Sequence, residues 1–287
     1  ASLAYESDGT PRGRITAHAT PVTVQREAGN HFSAGERRRI DLAQDIDVIL
    51  MRQDPPFHLG YISAALLLDR LKGKTLVAND PREVVNAPEK MFVLDYAQYM
   101  PPTLVARHVD DLRAFQKKHG SVVVKPLHGN GGKAIFRIDE SGTNLSALSE
   151  VFDQTWPEPH MVQPFLPEVS EGDKRIVLVD GEFAGAINRF PGEGEFRSNL
   201  HRGGSANLIR ISPLERATAV RAAKTMGLNV CGVDLLRSNH GPVVMEVNSS
   251  PGLEGIENAT GKDIASMIID FIERNARSGK TKTRGRG

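Results

Sequence analysis

The sequence predicts a parallel α/β segment followed by an α+β segment. Three observations carry that reading. Strand-like and helix-like stretches alternate ahead of Pro102, as a parallel sheet requires. From Lys174 to Asn248, apolar runs come in pairs joined by tight turns, the pattern of antiparallel hairpins. A chain of 287 residues is long enough to bury a core for both.

The elements follow in order. Asp45–Met51 (DIDVILM) reads as a buried strand, Tyr61–Lys72 (YISAALLLDRLK) as a helix, and TLVAND as a second strand, together a strand–helix–strand unit. DDLRAFQKKHG is an amphipathic helix stopped by Gly120, and SVVVKPL is a strand. KRIVLVDGEFAGAINR splits into two strands about Asp180-Gly181, the strongest short hairpin signal. Ser212 caps a helix, with Pro213 at its first position and Glu215 completing a capping box. Leu214, Ala217, Val220 and Met226 are expected on the core face of that helix, and Gly227 at its end. CGVDLLRSNHGPVVMEVN is a second hairpin. The last helix, Asp263 to Arg274, spaces Ile264, Met267, Ile268, Phe271 and Ile272 along one face. Boundaries fall near Pro102 and Pro167, giving units 1–102, 103–167 and 168–276 and a tail 277–287.

Composition excludes several classes. No apolar run approaches the ~18 residues of a membrane span. The net charge of +1 gives no global field for nucleic acid. The opening residues lack the apolar core of a secretion signal, so a cytoplasmic setting is expected. Cys231 is the one cysteine, so no intramolecular disulfide forms; it sits in strand-like VCGVDLL as inert core. The tail ARSGKTKTRGRG is basic and glycine-rich and reads as a disordered end.

The chemistry starts from two carboxylates. If the second hairpin turns about His240, Asp234 falls opposite Glu246 on one face, with Cβ atoms roughly 5 Å apart. Both sit among valines and leucines, where an unpaired carboxylate is costly. A positive group should lie between them. Asn248, two residues beyond Glu246, offers a third oxygen on the same face. Such oxygen donors suit Mg²⁺ shared with phosphates; pairing with a nearby arginine is the alternative.

Other stretches suggest the phosphates. In VVVKPLHGNGGKA, Lys125 ends a buried strand and the glycine-rich loop Gly129–Gly132 follows. Backbone N–H groups of such a loop approach phosphate oxygens closely, and a lysine adds a point charge. The spacing is not that of a Walker A loop. Lys90, in NAPEKMF, is a second lysine beside apolar residues. In MVQPFLPEV, Gln163, Phe165 and Leu166 follow an apolar strand and could hold an adenine; core packing is the alternative. Arg175, Arg189 and Arg197 lie at strand ends and in the loop RFPGEGEFRSNLHRGGSA, which also carries Asn199, His201 and Arg202. That loop is long, polar and suited to fold over a substrate.

With these parts together, the chain resembles the ATP-grasp carboxylate–amine ligases from about Ile40 to Ala276. ILMRQDPPF, NAPEKMF, YMPPTLV, VVVKPLHGNGGKAIFRI and EGDKRIVLVDGE resemble prokaryotic glutathione synthetase. GEFRSNLHRGGSA, AAKTMGLNVCGVDLLRSNHGPVVMEVNSSPGLEGIE and the last helix resemble the RimK-type ligases, which add glutamate to a protein C-terminus. The switch falls around Gly194–Gly204.

The resemblance implies an ATP-grasp fold. Residues 1–102 would form an N-terminal parallel-sheet domain short of a first βαβ-type piece of ~30 residues or more. Residues 103–167 would form the small lid subdomain and 168–276 the large subdomain with the metal site. It implies that Lys90, Lys125, Gly131 and Gly132 hold ATP phosphates, and Gln163, Phe165 and Leu166 the adenine. Asp234, Glu246 and Asn248 would bind Mg²⁺, with Mn²⁺ an alternative. Arg175, Arg189, Arg197 and Asn199 would surround the transferred phosphate and the acceptor. Arg52 and Asp54 would approach a dipeptide, with Ser249 and Ser250 on the substrate side. Partners are then small molecules, without membrane or nucleic acid, and the relatives are commonly tetramers.

Three activities remain open at this point. The first is glutathione synthesis from γ-glutamylcysteine, glycine and ATP through an acyl phosphate. The second is a RimK-type ligase adding glutamate to a protein or peptide C-terminus. The third is a nucleotide-binding protein without ligase activity.

Overall fold

The computed structural model describes residues 2–7, 9–10, 13–53, 57–86, 88, 90–129, 131–198 and 204–276. Its first unit mixes two small sheets and a hairpin. Strands β1 (Leu3–Glu6), β2 (Arg14–Ala19) and β5 (Arg38–Asp41) form an antiparallel sheet, while β3 (Val22–Val24) and β4 (Phe32–Ala34) pair with each other. The expected strand–helix–strand unit follows as β6 (Val48–Leu50), α1 (Leu59–Asp69) and β7 (Leu76–Ala78), with β6 and β7 parallel. Helix α2 (Pro81–Asn86) comes next. The parallel part is thus two strands wide, and antiparallel strands precede it.

The second unit is one antiparallel sheet with two helices. It contains β8 (Leu104–Ala106), α3 (Val109–His119), β9 (Val122–Pro126), β10 (Phe136–Ile138), α4 (Leu145–Thr155) and β11 (His160–Pro164), in strand order β10-β9-β11-β8. Gly120 ends α3 with φ 75°, a conformation that excludes most side chains. Leu112, Val124, Leu145, Phe152 and Val162 fill the core between sheet and helices. Each such buried side chain contributes about 1.5–3 kcal/mol of transfer free energy.

The third unit is built on a five-stranded antiparallel sheet in the order β14-β13-β12-β15-β16. Its elements are β12 (Asp173–Val179), β13 (Glu182–Phe190), β14 (Ser205–Leu208), α5 (Pro213–Met226), β15 (Val230–Ser238), β16 (Gly241–Asn248), α6 (Glu254–Thr260) and α7 (Ile264–Asn275). Asp180 and Gly181 turn the first hairpin with φ of 53° and 77°, as its tight turn demands. The pleat sorts this sheet into two faces. Ile176, Leu178, Val233 and Leu235 pack toward α5, while Val177, Val179 and Val230 pack toward α6 and α7.

Ser212 and Glu215 make the expected capping box on α5. The core face of that helix is the expected one at Met226 but not at Leu214 and Ala217. Thr218, Ala219, Ala222, Ala223 and Met226 are buried, whereas Leu214 and Ala217 are exposed and Val220 is half-buried. Small side chains let the helix lie close on the sheet, so side-chain size misled the phase. Among the described residues, no helix is long and apolar enough to cross a membrane.

Candidate active site

Three neighbouring strands set a row of charges across the large sheet. Arg175 on β12 lies opposite Asp234 on β15, which lies opposite Glu246 on β16. The facing of Asp234 and Glu246 depends on a bulge. Pairs such as Leu235↔Val244, nearer the turn, follow a register that would set Asp234 against Met245. A shift between Asp234 and Leu235 restores Glu246, and Met245 and Glu246 then both line the cleft. The row lies on the face that α6 and α7 cover further along the strands.

The positive group beside Asp234 is arginine. Asp234 is 3% exposed and receives both arms of the Arg175 guanidinium, Nη2 at 2.6 Å. Arg189 Nη2 donates to it at 2.8 Å, while Arg189 Nε donates to Asp173 at 2.6 Å. Burial pushes the Asp234 carboxyl up, but Arg175 and Arg189 outweigh it and hold the group down at about 2. At Asp173 burial prevails over Arg189 and the net direction is upward, with the Asp234 charge adding. Glu246 is partly exposed, with Lys90 Nζ and Arg175 Nη2 each 4.0 Å away.

This corrects the picture of a cluster of oxygens alone. Asp234 carries a salt bridge to each arginine, so an ion could reach it once those guanidiniums turn to other anions. Among the described residues, no three His, Cys, Asp or Glu side chains gather as a metal site. The candidate set is two carboxylates and an amide. The oxygens of Glu246 are open to a cation, and Asn248 Oδ1 accepts from Ser250 N at 2.9 Å with a lone pair to spare. Hard oxygen donors of this kind fit a divalent ion such as Mg²⁺.

Above the row a cleft opens between the sheet of the second unit and the large sheet. Lys125, Gly132, Gln163, Phe165 and Leu166 line it from the second unit and the residues that follow it, Arg189, Asp234 and Glu246 from the large sheet, and Arg197 from the loop after β13. Lys125 is buried and its amine is pushed down to about 8, by burial first and then by Lys90, with Glu246 opposing. Lys90 Nζ donates to Gly129 O at 2.6 Å, which ties the second lysine to the glycine loop. Gly131 and Gly132 have φ of 59° and 68°, so the loop takes a shape that side chains resist. Gln163 Nε2 donates to Thr103 Oγ1 at 2.9 Å, and its Oε1 is buried without a hydrogen-bond partner. The cleft is lined with unspent polar capacity, as a polar ligand would require.

The loop after β13 reaches across this cleft. Arg197 Nη1 donates to Gly132 O at 2.7 Å, and Glu195 holds the other arm of the same guanidinium. Phe196 meets Phe165 edge-on, with ring centroids 6.2 Å apart. Arg137 covers Phe165 at 3.8 Å.

A second cavity adjoins the row on the side of the first unit. Ser249 and Ser250 line it, with Gln53, Phe57, Tyr61 and His128. Arg52 is placed elsewhere. Its Nη2 donates to Pro251 O at 2.9 Å, and it lines a different, apolar cavity that shares Ser249. Asp54, Asn199, His201 and Arg202 lie outside the described residues. Sequence reasoning missed Asp173, Phe196, Leu236 and Met245 as cleft residues. Leu236 could have been found, since it sits two residues from Asp234 on the same face.

Comparison with known proteins places this geometry. A family model described as the ATP-grasp domain of prokaryotic glutathione synthetase matches residues 89–261, and one for the N-terminal domain of that enzyme matches residues 5–84. The chain belongs to the prokaryotic glutathione synthetase family. Glutathione synthetase of Bradyrhizobium diazoefficiens is 46% identical over 263 residues, 91% of this chain and 83% of that relative. A probable alpha-L-glutamate ligase of Halorhodospira halophila is 53% identical over a shorter 190 residues, 65% of this chain and 62% of that relative. Among solved structures, the ATP-grasp ligase PsnB, complexed with a phosphomimetic variant of its minimal precursor, Mg and ADP, superposes with TM-score 0.64 at 21% identity, over 90% of this chain and 86% of that one. A RimK domain protein from Sphaerobacter thermophilus does so with TM-score 0.59 at 21% identity, over 80% and 82%. The fold is therefore ATP-grasp, and the family makes this chain an ADP-forming ligase that uses ATP and a divalent metal.

Proposed function

We propose that the enzyme joins γ-glutamylcysteine to glycine at the expense of ATP and Mg²⁺. The observation that carries this reading is the junction of two cavities at one row of charge. The larger, lined by Lys125 and the adenine-side residues, suits a nucleotide. The smaller, lined by Ser249 and Ser250 against the first unit, suits the dipeptide acid. Asn248 belongs to the second cavity and Glu246 to the first.

The chemistry follows from charge. The carboxylate of the dipeptide attacks the γ-phosphorus, giving an acyl phosphate and ADP; the amine of glycine then displaces phosphate. Two anions must meet in the first step. Asp234, Glu246 and Asn248 would hold the divalent ion, which neutralises phosphate charge when bound. Arg175 and Arg189, drawn from Asp234 toward the triphosphate, would stabilise the moving phosphoryl group; removing one such group costs about 10²–10³ in rate. Arg197 on Gly132 and Phe196 on Phe165 close the cleft from the front, which shields an acyl phosphate from water. No side chain is needed as a covalent nucleophile. The Cys231 thiol is buried and pushed up to about 12, which keeps it inert.

A second reading has its own support. The alpha-L-glutamate ligase relative is 53% identical over 190 residues. Glutamate would then be the incoming amine and a peptide or small acid the acceptor. ADP release separates the two. With γ-glutamylcysteine supplied, glycine should stimulate release and glutamate should not. Turnover with glutamate and a peptide acid alone would transfer the proposal to the second reading.

A further inference from the structure

Asn79 follows β7 in the first unit, is 3% exposed, and touches neither cavity's ligand chemistry directly. Its amide nevertheless reaches across to the large sheet. Nδ2 donates to Val230 O at 2.7 Å and to Ser249 O at 2.8 Å, and Oδ1 accepts from Asn229 N and Val230 N, both at 2.8 Å. The full donor and acceptor capacity of one carboxamide is spent on backbone. The β15–β16 ladder ends at Gly232↔Asn248. Beyond that pair the strands part, and the Asn79 amide stands where the next rung would be. Ser249 is the neighbour of Asn248 and lines the second cavity. Arg52, from the same unit, steadies the turn two residues on through Pro251 O at 2.9 Å.

We propose that Asn79 is a positioning residue for the reaction: through Ser249 it sets where Asn248 and the acid-binding serines stand relative to the first unit. The proposal rests on the ligase reading of the site. Without this amide, the Val230 and Ser249 carbonyls lose a donor, two buried backbone N–H groups lose their acceptor, and the turn carrying Asn248 relaxes toward other partners.

Asn79→Asp keeps the shape and replaces the donor with an acid facing two carbonyl oxygens. Asn79→Ala removes the amide without burying a charge and serves if the first variant fails to fold. Phe271→Leu, a change in the core under α7, is the control for lost stability alone. The acid is whichever one supports ADP release by the unaltered chain, so a wrong substrate assignment shows there and not among the variants. In the Asn79 variants the KM for that acid should rise about 10–100-fold, while the KM for ATP stays within about threefold. Mn²⁺ affinity with ADP present, read by electron paramagnetic resonance, should fall about 10-fold or more. The Phe271 variant should match their fall in melting temperature and move neither constant. A folded Asn79→Ala enzyme with the acid KM and Mn²⁺ affinity within about twofold of the unaltered chain would overturn the proposal, as would equal changes in the Phe271 control.

Discussion

Lys125 is pushed down to about 8 from 10.5, so its proton is held loosely before nucleotide arrives. In the unfolded chain the amine keeps its proton to 10.5, so stability of the nucleotide-free protein should rise as pH climbs from about 8 toward that value. Phosphate oxygens beside the amine favour its charged form. ADP binding at about pH 9 should therefore take up close to one proton, and at about pH 7 almost none. Calorimetry in two buffers of different ionisation enthalpy measures this, and Lys125→Met should abolish the uptake. At this scale the sequence was informative where a charged residue breaks an apolar run, as Lys125, Asp234 and Glu246 do. It was silent on Asn79, which looks like an ordinary turn residue until its four backbone contacts are seen. Arg52 was placed near the dipeptide because its segment resembles one that approaches it; in the structure one arm of its guanidinium, Nη2, donates to Pro251 O.

The β12–β15–β16 row is the element that turns sequence into chemistry. Its two carboxylates oppose each other at Asp234↔Glu246, with Arg175 beside Asp234. Glu246→Gln keeps the side-chain shape and removes one of the like charges. Turnover should fall about 10²-fold or more. Stability should stay within roughly 0.5 kcal/mol, since relief of the charge facing Asp234 is offset by lost attraction to Lys90 and Arg175, each 4.0 Å away. Thermal melting and ADP release, measured on one sample, check both; undiminished turnover would remove Glu246 from the site. The facing pair was legible from hairpin arithmetic, but the bulge that produces it was not. Alternation read through VVMEVN puts Met245 and Glu246 on opposite faces, and a register shift is needed to bring both to the cleft. Hairpin turns and the Ser212 cap were legible because specific residues encode them locally. The buried face of α5 was not, because alanines packed close to a sheet carry little periodic signal.

Across the whole molecule, two antiparallel sheets face each other over the larger cleft, and the first unit closes the second cavity against β16 and its turn. The α/β-then-α+β order was legible from alternating elements, and the resemblance supplied the ATP-grasp arrangement. The antiparallel strands β1, β2 and β5 are four, six and four residues long and fully bury only Ile15, Thr16 and Asp41, so they leave a weak pattern in the sequence. The family match spans both halves, at residues 5–84 and 89–261, so the cavity between them belongs to one enzyme. The central claim is that the charge row activates a carboxylate by phosphorylating it. Labelling the dipeptide's cysteinyl carboxylate with ¹⁸O tests this most directly. Attack on the γ-phosphorus carries one carboxylate oxygen onto phosphate, so the phosphate released during turnover with glycine should contain one ¹⁸O atom per molecule. Unlabelled phosphate, formed while the amide product accumulates, would contradict the account.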